Sequence, residues 1–359
     1  MTTNTVIPFG PQHPVLPEPL QLKLVMQDEK IIEAIPSIGY VHRGLEKLTE
    51  TKEYTQNVFI VERICGICSF MHGLAYCQGI EALMKIEVPD RARFLRVIWA
   101  ELHRMHSHLL WLGLLADSFG FESLFMQVWR DREKVMDIME ETAGSRIIIS
   151  TNQIGGTRRD IADDMLNKIV RVVDEISGDI KRVETVFFND YTVKHRLCDR
   201  GILSKEDAHI LGVVGPMARA SGIEHDLRLN GYAAYGDLEF TPVIETDGDC
   251  HARTKVRFRE VYQSIDLVKQ AVGKLPSGDI SVPVKGNPNG EVISLVEQPR
   301  GEALYYIKAN GTKKLDRLRV RTPTFANIPA LLKILPGSEL ADVPVLILTI
   351  DPCISCTER

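Results

Sequence analysis

Arg63-Ile64-Cys65-Gly66-Ile67-Cys68 sets two thiols a short turn apart, and Asp351-Pro352-Cys353-Ile354-Ser355-Cys356 repeats that spacing at the end of the chain. A single Cys-x-x-Cys has three ordinary readings: a redox disulfide, half of a zinc site, or coincidence. Two of them supply four thiolates, a donor set that suits a soft metal. The short spacing lets both sulfurs of a pair reach one ion from one turn. Gly66 keeps the backbone close at that point, and Arg63 brings positive charge, which favours thiolate over thiol.

The flanks narrow the choice. Zinc ribbons and ferredoxin-like loops keep their cysteines close in sequence within small, loop-rich surroundings. Here the first pair enters an apolar helix carrying His72, and the second follows Val343–Ile350, which reads as a buried strand. Two distant segments of a large chain pinned at one interior point make a poor clip and a plausible reaction centre.

Composition sets the bounds. Of 359 residues 44% are hydrophobic, enough for a substantial core in one large domain or two interleaved ones. A net charge of −5 without basic clusters argues against a nucleic-acid surface. No signal peptide and no apolar run of about twenty residues is present, so the expectation is a chain that does not itself span a membrane. Seven cysteines in an otherwise ordinary composition point to a reducing compartment, with metal-bound or free thiols.

Leu20, Leu22, Leu24 and Met26 alternate as one face of a strand; Asp28-Glu29-Lys30 turns the chain into a return strand from Ile31. Before them lies Phe9-Gly-Pro-Gln-His13-Pro, too constrained for a helix. A helix is predicted from about residue 45 to the first cysteine pair. The longest helix spans 91–117, where Phe94, Val97, Ile98, Leu102, Met105, Leu109, Leu112 and Leu115 recur at three and four. Its His103, His106 and His108 lack a carboxylate or cysteine spaced to complete a metal site, and read as core histidines. Further helices are expected over 121–142, 160–187, 253–274 and 325–335. Gly155-Gly156 reads as a close backbone crossing, and residues 215–228 as a central loop with internally paired charges. Strands dominate the last third, where Asn310-Gly311 marks a hairpin returning through Lys313–Arg321. Cys77, Cys198 and Cys250 stand alone and read as free thiols.

Arg63-x-Cys-Gly-x-Cys-x-x-x-His72 and Asp351-Pro-Cys-x-x-Cys together resemble the paired signatures of nickel-iron hydrogenase large subunits. The remaining motifs resemble the energy-converting (Ech-type), membrane-associated branch, which is similar to the quinone-site subunit of respiratory complex I. The expected architecture is α+β, one domain with a central bundle of long helices. Residues 1–40 form an N-terminal β portion, 41–275 the bundle, and 276–359 a C-terminal β portion bearing the second cysteine pair.

The resemblance implies a catalytic subunit for reversible formation or oxidation of H2 at a nickel-iron centre, with one carbonyl and two cyanides on iron. Cys65, Cys68, Cys353 and Cys356 hold nickel; Cys68 and Cys356 bridge to iron. Glu18 takes protons from Cys353 and sits within its hydrogen-bond reach. Arg300, Asp117 and Asp351 form a canopy, and Pro323-Thr324 serves the cyanide environment. That placement is chemically sound, because cyanide in a dry pocket needs cationic or hydroxyl donors. His72, Arg63, His13, Glu46 and Arg359 surround the centre. Many relatives pair the glutamate of Arg43-Gly44-Leu45-Glu46 with a C-terminal histidine around magnesium or iron. Arg359 stands at that place, and a guanidinium cannot ligate a metal, so an ion pair with Glu46 is expected instead. Arg359 is also where such subunits are commonly trimmed, which implies a processed end or manufacture without an extension.

No other cysteine group suits an iron-sulfur cluster. The implied partners are therefore a small subunit with a [4Fe-4S] cluster, a ferredoxin-type iron-sulfur subunit exchanging electrons with ferredoxin, and integral membrane subunits that translocate ions. The implied location is peripheral, on the cytoplasmic side of the membrane. Two rivals remain: a metal-free quinone-site subunit, which needs neither cysteine pair, and a structural zinc or disulfide scaffold, which leaves Arg300, Thr324 and Glu18 unexplained.

Overall fold

Strand alternation near the N-terminus produces a three-stranded antiparallel sheet in the computed structural model, which describes residues 4–359. Its strands β1 (Thr5–Phe9), β2 (Gln21–Gln27) and β3 (Lys30–Ser37) lie in that order. Leu22, Leu24 and Met26 are buried on one face, as the period of two requires. The loop from Gly10 to Leu20, between β1 and β2, carries His13 and Glu18.

The helix expected before the first cysteines is two short ones, α1 (Leu45–Thr49) and α2 (Asn57–Glu62). Tertiary contacts break it: Tyr54 N donates to the Lys313 carbonyl at 2.8 Å, drawing the chain aside. Asn57 Nδ2 then donates to the Thr49 carbonyl at 2.9 Å, joining the two pieces.

The bundle comprises α3 (Ser69–Met84), α4 (Asp90–Ser118), α5 (Glu122–Ala143), α6 (Asp163–Asn189) and α10 (Cys250–Gly273). Between α5 and α6 a small β4–β5 pair (Asn152–Gln153, Gly156–Thr157) crosses at Gly155-Gly156. Short helices α7 (Tyr191–Leu197), α8 (Lys205–Ile210) and α9 (Pro216–Arg219) precede α10.

Helix α4 is the axis, packed against α3, α5 and α10, and every residue from Phe94 to Leu109 is buried. Buried charges are costly unless paired. Arg96 therefore meets Glu81 at 2.6 Å, and Arg104 and Arg228 converge on Glu101 at 3.2 and 3.3 Å. Within the 215–228 loop Arg228 pairs with Asp226 at 2.7 Å, as its sequence suggests, while Arg219 reaches outside it to Glu260 and Glu297, both at 2.8 Å. His108 bonds Glu260 at 2.8 Å, while His103 and His106 lie in the core without a metal-binding set among the described residues.

The C-terminal region forms a second three-stranded antiparallel sheet: β6 (Asn289–Gln298), β7 (Gly301–Asn310) and β8 (Leu315–Arg321). Sequence reading missed β6, whose apolar residues Val292, Ile293, Leu295 and Val296 come in adjacent pairs rather than in alternation. Three helices follow, α11 (Pro323–Ile334), α12 (Val343–Thr349) and α13 (Ile354–Glu358). The strand expected over 343–350 is therefore a helix. A short run that is apolar throughout has no period to read, and Pro344 fits a helix's first turn but not a buried strand. The α+β class holds, with two separate terminal sheets flanking the bundle.

Candidate metal centre

Cys65 lies just beyond α2, Cys68 caps the start of α3, and Cys353 and Cys356 bracket the start of α13. All four are buried free thiols. Cys353 Sγ is 3.3 Å from Cys65 Sγ, and Cys68 Sγ is 3.4 Å from Cys356 Sγ. Each contact crosses between the pairs. The Cys65, Cys68 and Cys356 ligand atoms also lie within 4.8 Å of one another, a set able to hold a metal ion. Soft donors gathered this tightly in a dry interior fit a thiophilic transition metal such as nickel.

The cation beside these sulfurs is Arg300. It sits with Pro299 in the two-residue turn joining β6 to β7, where Gln298 pairs with Gly301. Such a turn normally faces water; this one is buried because Gly215, at φ +68, lies flat against it. A Cβ on Gly215 would come within 2.4 Å of the Arg300 carbonyl oxygen. Arg104 donates to the carbonyls of Glu297 and Gln298, holding the strand behind the turn. Arg300 Nη2 meets Asp351 Oδ1 at 2.8 Å, Nε donates to the Asp351 carbonyl at 2.9 Å, and Nη1 reaches Ser107 Oγ at 3.4 Å. Hydrogen bonds from Cys356 and Cys65, with the Arg300 charge nearby, pull the Cys68 thiol down to about 6. Arg63, expected to supply this charge, is exposed and turns back to the Phe59 carbonyl at 2.8 Å.

His72 Nε2 lies 3.4 Å from Cys356 Sγ, and its Nδ1 is 2.5 Å from the Tyr305 hydroxyl. Burial pushes this imidazole down to about 4, so it is neutral near pH 7. Pro323 opens α11 and presents Thr324, whose Oγ1 accepts from Cys353 N at 3.1 Å. Thr322 Oγ1 donates to the Cys356 carbonyl at 3.1 Å. One turn thus orders both cysteines of the second pair.

Glu18 approaches from the β1–β2 loop, but its hydrogen bonds go to Ser355 rather than to Cys353. Oε2 accepts from Ser355 N at 2.8 Å and from Ser355 Oγ at 3.1 Å. Ser355 Oγ is in turn 3.8 Å from Cys353 Sγ. Burial, then the Cys353 charge, raises the Glu18 carboxyl to about 7, against the opposing pull of Ser355 and Arg300. Glu18 and His13 also line an outer groove formed by residues 11–19. His13 stacks on Phe9 and accepts from Val15 N at 3.3 Å.

Asp117 does not join the canopy. It is exposed in the last turn of α4, lining a groove with Pro14–Pro17 and Leu348. Ser107, on the same helix, marks the level of Arg300, and ten residues of helix carry Asp117 about 15 Å further along the axis.

At the outer rim Arg359 Nε meets Glu46 Oε1 at 2.8 Å, so the expected ion pair is present. Val320 N and Arg319 also engage the Glu46 carboxylate. These contacts hold the Glu46 carboxyl below its usual range despite the upward pull of burial.

The family described as Nickel-dependent hydrogenase matches residues 43–121, and that described as Respiratory-chain NADH dehydrogenase, 49 Kd subunit, matches 118–287 and 281–359. The chain belongs to this shared family. Within it, the Membrane-bound hydrogenase subunit alpha of Pyrococcus furiosus is 39% identical over 98% of this chain and 87% of its own length. The Carbon monoxide-induced hydrogenase of Rhodospirillum rubrum is 37% identical over the full length of both chains. An F(420)H(2) dehydrogenase subunit of Methanosarcina mazei is 35% identical over 100% of this chain and 98% of its own. A chain of the membrane-bound sulfane sulfur reductase, an archaeal respiratory membrane complex, superimposes with a TM-score of 0.95 at 29% identity, covering 99% of this chain and 98% of that one. The relatives of the chain thus include subunits of hydrogenases and of F(420)H(2) and NADH-quinone oxidoreductases, all oxidoreductases.

Three contributors escaped sequence reading: Tyr305, Ser107 and Ser355. Ser355 was detectable, because it lies between two cysteines. The others act through folds of the chain that no local pattern announces.

Proposed function

We propose that this chain is the catalytic subunit of an energy-converting nickel-iron hydrogenase, making or oxidising H2 reversibly. The observation that carries the reading is the convergence of Cys65 with Cys353 and of Cys68 with Cys356 in a buried site beside Arg300. The four sulfurs would hold nickel, and Cys68 and Cys356 would also hold an iron bearing one carbonyl and two cyanides. When bound, that centre supplies the splitting of H2 into protons and two electrons. Arg300 and the Thr324 hydroxyl provide a cation and a polar group for the anionic iron ligands, and Asp351 fixes Arg300 in place. Neutral His72 orients Cys356. Glu18, half-buried with a carboxyl near neutrality, is suited to accept and release protons between Cys353 and the outer groove, with Ser355 between them.

Two electrons must leave, and this reading sends them to a small subunit with a [4Fe-4S] cluster. A ferredoxin-type subunit would then exchange them with ferredoxin, and membrane subunits would couple the reaction to ion translocation. In this reading attachment is peripheral, on the cytoplasmic side; no helix among the described residues is long and apolar enough to cross a membrane. The names of the relatives support an assembly of this kind.

The match to the 49 Kd family and the outer groove with His13 favour a second reading, a metal-free quinone-site subunit. That role has no use for four converging sulfurs. An infrared spectrum of the purified complex, with nickel and iron analysis, separates the two. Carbonyl and cyanide bands with nickel support the hydrogenase; their absence, or zinc alone, overturns it.

A further inference from the structure

The four sulfurs come from loops 288 positions apart, and some contact must set the separation of those loops. Arg43 bonds both. Its Nη1 donates to the Arg63 carbonyl at 2.9 Å, and Nη2 donates to the Ile64 carbonyl at 2.8 Å and the Ser355 carbonyl at 3.0 Å. Two of these acceptors immediately precede Cys65, and the third lies between Cys353 and Cys356. The surrounding segment grips the rest of the same tail. Gly39 N and Val41 N donate to the Glu358 carboxylate, His42 Nδ1 bonds the Glu358 carbonyl, and Glu46 pairs with Arg359.

We propose that Arg43 is a positioning residue that sets the spacing of the two cysteine pairs, with residues 39–46 as the seat for the C-terminal segment. A planar guanidinium presents several donors in fixed directions, so one side chain bridges carbonyls on both loops. Lysine keeps the charge but is a point donor on a flexible stem, and cannot hold that geometry. The guanidinium is exposed, so its worth lies in fixing distance and direction rather than in burial. The inference rests on the proposed metal site only for its consequence; the double attachment itself involves no metal.

The test uses the complex from nickel-starved cells, treated with diamide, which takes two electrons and two protons from a facing pair of thiols. Peptide mapping then counts disulfides between the pairs (Cys65–Cys353, Cys68–Cys356) against those within them. Cross-pair products should predominate in the native protein, since the facing sulfurs are 3.3 and 3.4 Å apart. Arg43→Lys and Arg43→Gln should lower the cross-pair ratio about tenfold, the weight of one charge-assisted hydrogen bond, with melting temperature retained. Arg182→Lys, an exposed arginine of α6 that pairs with Asp179 and touches neither cysteine loop, should leave the ratio unchanged. An unchanged ratio in both Arg43 variants overturns the proposal, as does a fall that occurs only with global unfolding. In nickel-replete complex the same variants should release nickel to a chelator faster and broaden the infrared bands. If the native complex has no nickel but the cross-pair ratio still falls, the hydrogenase reading fails and the role of Arg43 stands. If nickel and its bands are present and neither ratio nor bands respond, the role of Arg43 fails alone.

Discussion

Arg300 grips Asp351 twice, through the carboxylate at 2.8 Å and through the backbone carbonyl at 2.9 Å. Asp351 has φ +53, a left-handed conformation that a non-glycine residue adopts only when its surroundings enforce it. Cys353 follows two residues later, so this grip aims the second cysteine pair.

Arg300→Met leaves Asp351 buried without its cation and should cost about 3–5 kcal/mol, read as a lowered melting temperature of the complex. Arg300→Lys should be milder in stability, yet H2 uptake should fall more than about tenfold, because lysine cannot bond both groups of Asp351. Wild-type uptake in Arg300→Lys contradicts this role.

Replacing any one of Cys65, Cys68, Cys353 or Cys356 by alanine should abolish nickel retention and H2 turnover. Cys77, Cys198 and Cys250 should accept alanine with a loss of about 1 kcal/mol or less. Metal analysis of the seven single variants checks both halves; activity loss confined to the second set would sink the assignment.

Glu18→Gln preserves the shape and the hydrogen bond from Ser355 N but cannot carry a proton. Conversion between para- and ortho-H2 should persist, while exchange of H2 with D2O collapses along with turnover. Ser355→Ala should slow exchange without abolishing it, because the backbone contact to Glu18 remains. Undiminished exchange in the Gln variant would send the proton path elsewhere, with His13 and His72 next in line.

The raised Glu18 carboxyl also gives a pH signature. Folding favours its protonated form, moving it from 4.5 up to about 7. Its contribution to stability is therefore fully present below about pH 4.5 and is lost as pH rises to about 7. Glu62, likewise pushed up to about 7 by burial, gives the same slope. Melting curves across that window should fall less steeply in Glu18→Gln, with the Glu62 share left over; parallel curves would deny the shift.

Much of this protein was determined by local chemistry. The period of α4, the alternation of β2, and two Cys-x-x-Cys motifs are statements about neighbours in sequence, and they pointed to the bundle, the first sheet and the sulfur donors. The Arg359 at the place of a metal ligand announced its pairing with Glu46 because a permanent cation needs an anion. Tertiary structure decided the rest. Residues 343–350 became a helix, since an apolar run without period leaves the choice to packing and to Pro344. Asp117 fell outside the canopy because a straight helix carried it away from Arg300. Arg300, not Arg63, became the buried cation, because only a close approach of Gly215 lets its turn face inward. Arg43 and Ser355 acquired their partners when opposite ends of the chain met, a long-range event that neither local sequence encodes alone.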